Sequence, residues 1–457
     1  MDIIHRLPEM QMKVLRINDN SVERKEKFHD VSSITTVIAD KTLEQLEREG
    51  IFVFPELIND ADDLTRDQMI LQSFNECYRA GNVMGFLGCG EERLVIRSRF
   101  GNDTNDYFFQ YLLERVVDFP NVVDLNTDAD NNNRMFSLLL FLFPMYLREA
   151  MRKGAFKSYV RREYNNENVK GTVDIARHIR NNIPFTGRIA YSQREYSYNN
   201  YLMQLIRLTI EFIKSKPNGY SLLAKVKEEI KTVVDATPDF ELKNANKIIN
   251  ANKKTTVRHA YYHEYQALQR LCILILQNEK QQIGVGLHKV YGILFDGAWL
   301  WEEYVNQLIC NEFYHPMNKA GSGGQWLFAG GSGRIYPDFM SRDYEQRVIA
   351  DAKYKPMDNI GNKDYLQVLA YMLRFDSKKA FYLYPEDEEN ESKILKVNAG
   401  STYEKNVHPR DDVSVIKHGL KIPRDADDYD DFCELMHTQE ELFKSGIVSY
   451  KADVSAV

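Results

Sequence analysis

The sequence predicts an α+β, multidomain protein: a mixed amino-terminal region, then a domain with a central mixed sheet flanked by helices. Three observations lead there. The chain has 457 residues, enough for two or three domains at roughly 150 residues each. Its 44% hydrophobic and 27% charged residues are those of a globular chain rather than a disordered one. Runs of period two and runs of period 3.6 are mixed along it, which calls for sheets and helices packed together. The boundaries expected are 1–283 for the first region, 284–422 for the second domain and 423–457 for an acidic, helical tail.

The elements follow in order. Gly88-Cys89-Gly90 precedes Arg93–Phe100, which alternates as a strand does. Asp106–Val117 (DYFFQYLLERVV) reads as an amphipathic helix. Asp124–Asn133 is an acidic, Asn-rich loop that lacks the Gly and terminal Glu of a calcium loop, so no calcium is expected. Met135–Leu147 is the most apolar run. It has 13 residues, contains Pro144 and is bracketed by Arg134 and Arg148. A membrane span needs about 20, so a buried helix is expected and no membrane.

From 148 to 216 the charge reverses, with fourteen Lys and Arg against six Asp and Glu in a chain of formal net charge −7. Short strands are expected at Gly171–Asp174 and Ile189–Tyr191. A helix is expected over Asn199–Lys214, with Leu202, Leu205, Ile206 and Ile213 on one face and Thr209 as its polar member. The basic stretch fits a surface for phosphates or an acidic partner, and equally a solvated face balanced by acids elsewhere. Lys216-Pro217-Asn218-Gly219 ends the helix, and mixed helical sequence runs on to Gln281. His259 and His263 are spaced for one helix face, but HExxH and a third ligand are missing, so a packed or solvent-facing helix is preferred to zinc. The second domain reads as a long helix (Asp296–Phe313), a glycine-rich loop (Gly321–Gly324 and Gly330–Gly333), strand, turn, strand, helix and strand. The tail is acidic from Pro423 and then helical through Phe443.

Composition limits function. A net charge of −7 excludes a uniformly basic nucleic-acid coat, though not a local groove. Five dispersed cysteines without CxxC argue against a disulfide framework and a structural zinc site, so a reducing cytoplasm is expected. The opening MDIIHRLPEMQMK carries charge where a secretory signal is apolar. No GxxxxGK[ST] occurs, so this chain is not expected to be a nucleotide motor.

The chemistry gathers in residues 334–355, RIYPDFMSRDYEQRVIADAKYK. Arg334–Met340 is expected to form one strand, Ser341–Gln346 a polar turn and Arg347–Tyr354 the next strand. Period two puts Ile349, Asp351 and Lys353 on one face, a carboxylate beside an ammonium, while Asp338 comes from the neighbouring strand. Two carboxylates on adjacent strands can hold a hard divalent cation. Such a cation lowers the pKa of bound water and stabilises charge on a phosphodiester. A lysine beside that water can orient it and offset developing charge.

Pro337-Asp338 and Asp351-Ala352-Lys353 resemble the two halves of the PD-(D/E)xK nuclease signature. The resemblance implies a restriction-endonuclease-like domain using Mg²⁺, with Asp338 and Asp351 as metal ligands and Lys353 orienting the water. It also implies a further metal-site glutamate on the preceding helix, by register Glu302 with Glu303 as rival, and Gln367 near the metal or the scissile phosphate, one turn before Tyr371. Ile349-Ala350-Asp351-Ala352-Lys353-Tyr354-Lys355 is similar to the active-site strand of the McrC family, the nuclease subunits of McrBC-type (or LlaJI-type) restriction systems. Lys170–Asp174, Arg188 and Glu195–Asn200 follow that family's order upstream. This implies a subunit that docks through its first region on a hexameric McrB-like AAA+ GTPase, stimulates GTP hydrolysis by that partner and cleaves double-stranded DNA bearing modified cytosines. GTP would be bound by the partner, not by this chain. The alternatives are a stand-alone PD-(D/E)xK nuclease in repair or phage defence, and a non-catalytic adaptor of the motor.

Overall fold

A strand far along the chain completes a sheet begun near its start. The computed structural model describes residues 13–49, 51–54, 68–102, 106–117, 131–216, 219–281, 290–316, 324–388, 392–401 and 405–452. Most of the acidic 124–133 loop, Pro217-Asn218, the 283/284 boundary and Gly321–Gly323 lie outside them. Tyr291–Asp296 pairs antiparallel with Val83–Cys89 and parallel with Phe52–Phe54. Glu92–Arg97 and Lys13–Asn18 complete this five-stranded sheet. The central strands approach closely at Gly85 (φ 144°), where a Cβ would stand 2.1 Å from the Ile293 carbonyl oxygen.

The chain divides into two compact units, residues 1–121 with 287–457, and residues 122–286. These do not coincide with the linear boundaries 1–283, 284–422 and 423–457. The physical reason is the shared sheet, together with the carboxy-terminal helix. That helix, Tyr429–Ala452, runs past Phe443 and packs on the helices Tyr107–Val117 and Gly297–Ile309. Its buried Glu440 accepts hydrogen bonds from the hydroxyls of Tyr111 and Tyr304, each 2.7 Å, and pairs with Arg115 at 3.2 Å. The tail is thus part of the first unit's core.

The first unit also contains a six-stranded mixed sheet. Its order is Phe313–Tyr314, Phe339–Ser341, Val348–Ala352, Lys379–Glu386, His408–Lys421 and Lys393–Ala399. Val348–Ala352 and Lys379–Glu386 are parallel, and the helix Asn362–Arg374 makes the crossover such a pair requires. Ala380–Glu386 is buried throughout, as expected of a strand covered on both faces. The helix expected at Asp296–Phe313 is Gly297–Ile309; Asp296 caps it by accepting from the amides of Ala298 and Trp299.

Two expectations in this region are corrected. Arg334–Met340 is not one strand: among the described residues Ser332–Ile335 pairs with Gln325–Phe328, whereas Phe339–Ser341 joins the main sheet. The break falls at Pro337, which has no N–H for a ladder. Of the glycine-rich segment, Gly330–Gly333 is not a loop but the end of this hairpin, turned by Gly330 and Gly331 at φ 82° and 81°.

The second unit has a three-stranded antiparallel sheet in the order Ser158–Asn166, Ile189–Ser197, Thr172–Val173. Five longer helices accompany it: Asn131–Met151, Tyr201–Lys214, Lys227–Ala236, Ala245–Lys254 and Glu264–Gln281. The apolar run lies in the first of these, with Leu139–Phe143, Tyr146 and Leu147 buried. No helix among the described residues is long and apolar enough to cross a membrane. Asn200 caps Tyr201–Lys214, whose buried face includes Leu202, Leu205, Ile206, Thr209 and Ile213. Asp174 caps a short helix, Ile175–Asn181, which has no buried residue.

Candidate active site

Three neighbouring elements bring the charged residues together. Val348–Ala352 lies inside the six-stranded sheet, and its Val348, Ile349, Ala350 and Asp351 are all buried. The amide of Lys353 donates to Leu383 O at 2.9 Å, so the ladder holds the chain one residue beyond the strand. Phe339 pairs with Ala350, which puts Asp338 opposite Asp351 on the next rung. Asp338 Oδ2 accepts from the Ala352 amide at 2.9 Å.

The electrostatics of this group are unusual. Asp351 is fully buried, and Lys353 Nζ stands 2.5 Å from its Oδ2. Neither Asp351 oxygen accepts a well-aligned hydrogen bond from the described residues. Burial pushes the Asp351 carboxyl up to about 7, against the attraction of Lys353 and with the repulsion of Asp338. For Lys353, burial works to lower the pKa, but the Asp351 and Asp338 carboxylates outweigh it, and the ammonium is held above its ordinary value.

The helix Asn362–Arg374 supplies the third side. Lys353 Nζ donates to Gln367 Oε1 at 3.5 Å, Gln367 Nε2 donates to the Tyr371 hydroxyl at 2.6 Å, and that hydroxyl donates to Tyr336 O at 3.0 Å. Tyr371 has one proton and gives it to a carbonyl, so toward Gln367 it can only accept. This fixes the amide of Gln367 with its oxygen toward Lys353. Lys355 pairs with Asp364 at 2.7 Å, and Asp364 Oδ2 also accepts from the Gly361 amide. Burial would raise the Asp364 carboxyl, yet these bonds leave it below its ordinary value.

Asp338, Asp351, Lys353 and Gln367 are therefore neighbours. Glu302 and Glu303 connect to them through a residue that sequence reasoning missed, His315. Its buried ring donates from Nδ1 to the Asp338 carbonyl at 2.7 Å and lies 5.1 Å from the Phe339 ring. Its Nε2 is 3.5 Å from Glu302 Oε1 and 3.8 Å from Glu303 Oε1. Glu302 is the more buried of the two, on a helix pinned by Trp301 Nε1 donating to Leu383 O at 3.0 Å. No local motif marks His315: it is far from Asp338 in sequence, and only the fold joins them.

The donor set suits a hard divalent cation. It offers a buried carboxylate whose close partner among the described residues is the Lys353 ammonium, and a second carboxylate on the facing rung. No three His, Cys, Asp or Glu converge as a metal cage among the described residues. Two carboxylates, with water and phosphate oxygens completing the shell, are what Mg²⁺ commonly takes. His259 and His263 do not lie on one helix face as their spacing suggested. They flank a single 3₁₀ turn, where His259 Nδ1 accepts from the Tyr261 amide at 3.2 Å.

Comparison with known proteins identifies the family. The model of the McrBC 5-methylcytosine restriction system component matches residues 78–385, about two thirds of the chain. The chain belongs to this family. Among solved structures it is similar to a chain of the refined half-complex from the tetradecameric assembly of Thermococcus gammatolerans McrB AAA+ hexamers with bound McrC. That similarity has a TM-score of 0.47 and 13% identity, covering 94% of this chain and 100% of that one. A chain of the T. gammatolerans McrBC complex gives a TM-score of 0.29 and 13% identity over 65% and 87% of the two chains. The family assignment rests on the family match alone. No curated protein matches the chain.

Proposed function

We propose that this McrBC-family protein is the nuclease subunit of its restriction system. It would hydrolyse DNA phosphodiesters with Mg²⁺ when assembled with an AAA+ GTPase. The observation that carries this reading is the buried Asp351 carboxylate, unbonded except for its ion pair to Lys353 and facing Asp338 across the ladder. Such a group is costly to bury without a task.

Asp338 and Asp351 would hold the cation, which supplies Lewis-acid stabilisation and a water of lowered pKa. Lys353 keeps its charge beside two carboxylates, so it acts as a donor that orients the nucleophile and offsets charge on the phosphate, not as a base. Gln367, its oxygen turned to Lys353, would keep that ammonium aimed. Glu302 would support the site through His315, which fixes the backbone of Asp338.

The unit 122–286 is assigned to the partner. It holds the basic stretch 148–216, and the short helix Ile175–Asn181 presents Ile175 and Ile179 to solvent, followed by exposed Ile183 and Phe185. Exposed apolar groups on a short surface helix fit a protein contact. Stimulation of the partner's GTPase is placed there.

The test is plasmid cleavage with Mg²⁺, on methylated and unmethylated DNA, by the chain alone and with its AAA+ partner plus GTP, each beside Lys353→Ala. Cutting of methylated plasmid by the wild-type complex alone is expected. Cutting by the isolated chain would instead make it a stand-alone nuclease. GTPase stimulation without any Lys353-dependent cutting would make it an adaptor.

A further inference from the structure

Among the described residues, the hairpin Gln325–Phe328/Ser332–Ile335 belongs to no larger sheet. Trp326 stands opposite Arg334 and Phe328 opposite Ser332, so these four side chains share one face. That face is open: Trp326 is 49% and Phe328 62% exposed. Exposed aromatics two residues apart are not core packing, and among aromatics it is contact surfaces that use them so. The Arg334 guanidinium lies 6.0 Å from the Trp326 ring and 5.3 Å from the Tyr336 ring. A second guanidinium borders the face, because Arg374 Nε donates to Trp326 O at 2.6 Å. Residues 324–336 include no Asp or Glu.

The hairpin also leads straight into the catalytic group. Its second strand ends at Ile335, Tyr336 O receives the Tyr371 hydroxyl, and Asp338 follows two residues later. A surface beside the reacting phosphate, with exposed aromatics, two guanidiniums adjoining Trp326 and no acid in the hairpin itself, is complementary to DNA: cations meet phosphates, and aromatics pack on bases or sugars. We propose that this face grips duplex DNA next to the scissile phosphate. Trp326 and Phe328 pack in the groove while Arg334 and Arg374 meet the backbone. This rests on the nuclease reading above and adds the element that holds the substrate.

The test uses the full chain and a fluorescein-labelled duplex in Mg²⁺-free buffer, so that binding is read without cleavage. Trp326→Ala/Phe328→Ala should bind about tenfold more weakly by anisotropy. The duplex should quench tryptophan fluorescence in the wild type but not in Trp326→Phe, although Trp299 and Trp301 remain. Wild-type affinity in the folded double variant would overturn the proposal, as would absence of duplex binding by the wild type. So would loss of self-association in sedimentation with DNA affinity intact, which would make the face a contact between copies. Failure of the nuclease reading is a separate outcome, seen when Lys353→Ala leaves cleavage unchanged.

Discussion

Two sheets in this protein break the inside–outside rule in opposite directions. The six-stranded sheet buries charge: Asp351 and Lys353 sit among Ile349, Tyr371 and Tyr382. The three-stranded sheet of the second unit shows the reverse. It leaves Tyr159 and Tyr196 exposed on one rung and Arg161 opposite Arg194 two rungs on, on the same face, while Ile175 and Ile179 are exposed nearby in sequence. Burying an ion costs on the order of several kcal/mol, so a protein keeps such a group where chemistry needs it. Exposed apolar surface is kept where another molecule covers it. The proposed function accounts for both exceptions, with a reaction at the first sheet and a contact at the second.

The strongest way to break this contrast is to remove the buried carboxylate. Asp351→Asn should lower plasmid cleavage by at least about a thousandfold, because it removes the proposed cation ligand and the partner of Lys353. Stimulation of the AAA+ partner's GTPase should persist, and the melting temperature should fall below that of the wild type, since the Lys353 ammonium stays buried with Asp351 no longer there to balance it. Cleavage assay, GTP turnover and thermal unfolding read the three. Loss of GTPase stimulation in the folded variant would end the division of labour between the sheets.

The converse variant acts on the second unit. Ile175→Asp/Ile179→Asp changes two exposed side chains on one helix face and touches no buried residue. Stimulated GTP hydrolysis and partner affinity should fall about thirtyfold, the scale of losing an interface hot spot. Unchanged co-sedimentation with the partner would move the contact elsewhere.

How much of this the sequence carried depends on the range of each interaction. Asp351 and Lys353 were legible because period two in a strand places them side by side. Gln367 and Tyr371 were legible because four residues on a helix do the same. The division of the chain was not, because the pairing of Tyr291–Asp296 with Val83–Cys89 is set by tertiary contacts and no local pattern announces it. The break between Ile335 and Phe339 was missed, although Pro337 lies within it and has no N–H to give a ladder. The hairpin of Gln325–Phe328 with Ser332–Ile335 hid behind its glycines, which read as a loop although Gly330 and Gly331 make a turn. His315 carries no signal at all until Asp338 is folded against it.

His315 sharpens the account of the first sheet. Its Nδ1 anchors the Asp338 carbonyl, and its Nε2 faces Glu302. His315→Ala should cost about tenfold in cleavage, as removal of a group behind a metal ligand does. His315→Asn, whose amide can replace the Nδ1 donor, should recover more activity than His315→Gln, whose amide sits nearer Nε2. Mn²⁺ binding followed by calorimetry should weaken in the same order. Equal loss in Asn and Gln variants would assign His315 to packing against Phe339 instead.

The smallest effect tests the aim of Lys353. Tyr371 donates to Tyr336 O and accepts from Gln367, and that single acceptance decides which way the Gln367 amide points. Tyr371→Phe keeps the ring in its place beside Ile349 and Tyr382 but removes the oxygen. Gln367 can then turn its NH₂ toward the Lys353 ammonium, a donor against a donor. One neutral hydrogen bond is worth about 1 kcal/mol, so cleavage should fall about fivefold. Substrate affinity should hold, because no DNA contact is assigned to Tyr371. A fall in affinity with the cleavage rate preserved would place Tyr371 at the DNA surface rather than behind Lys353.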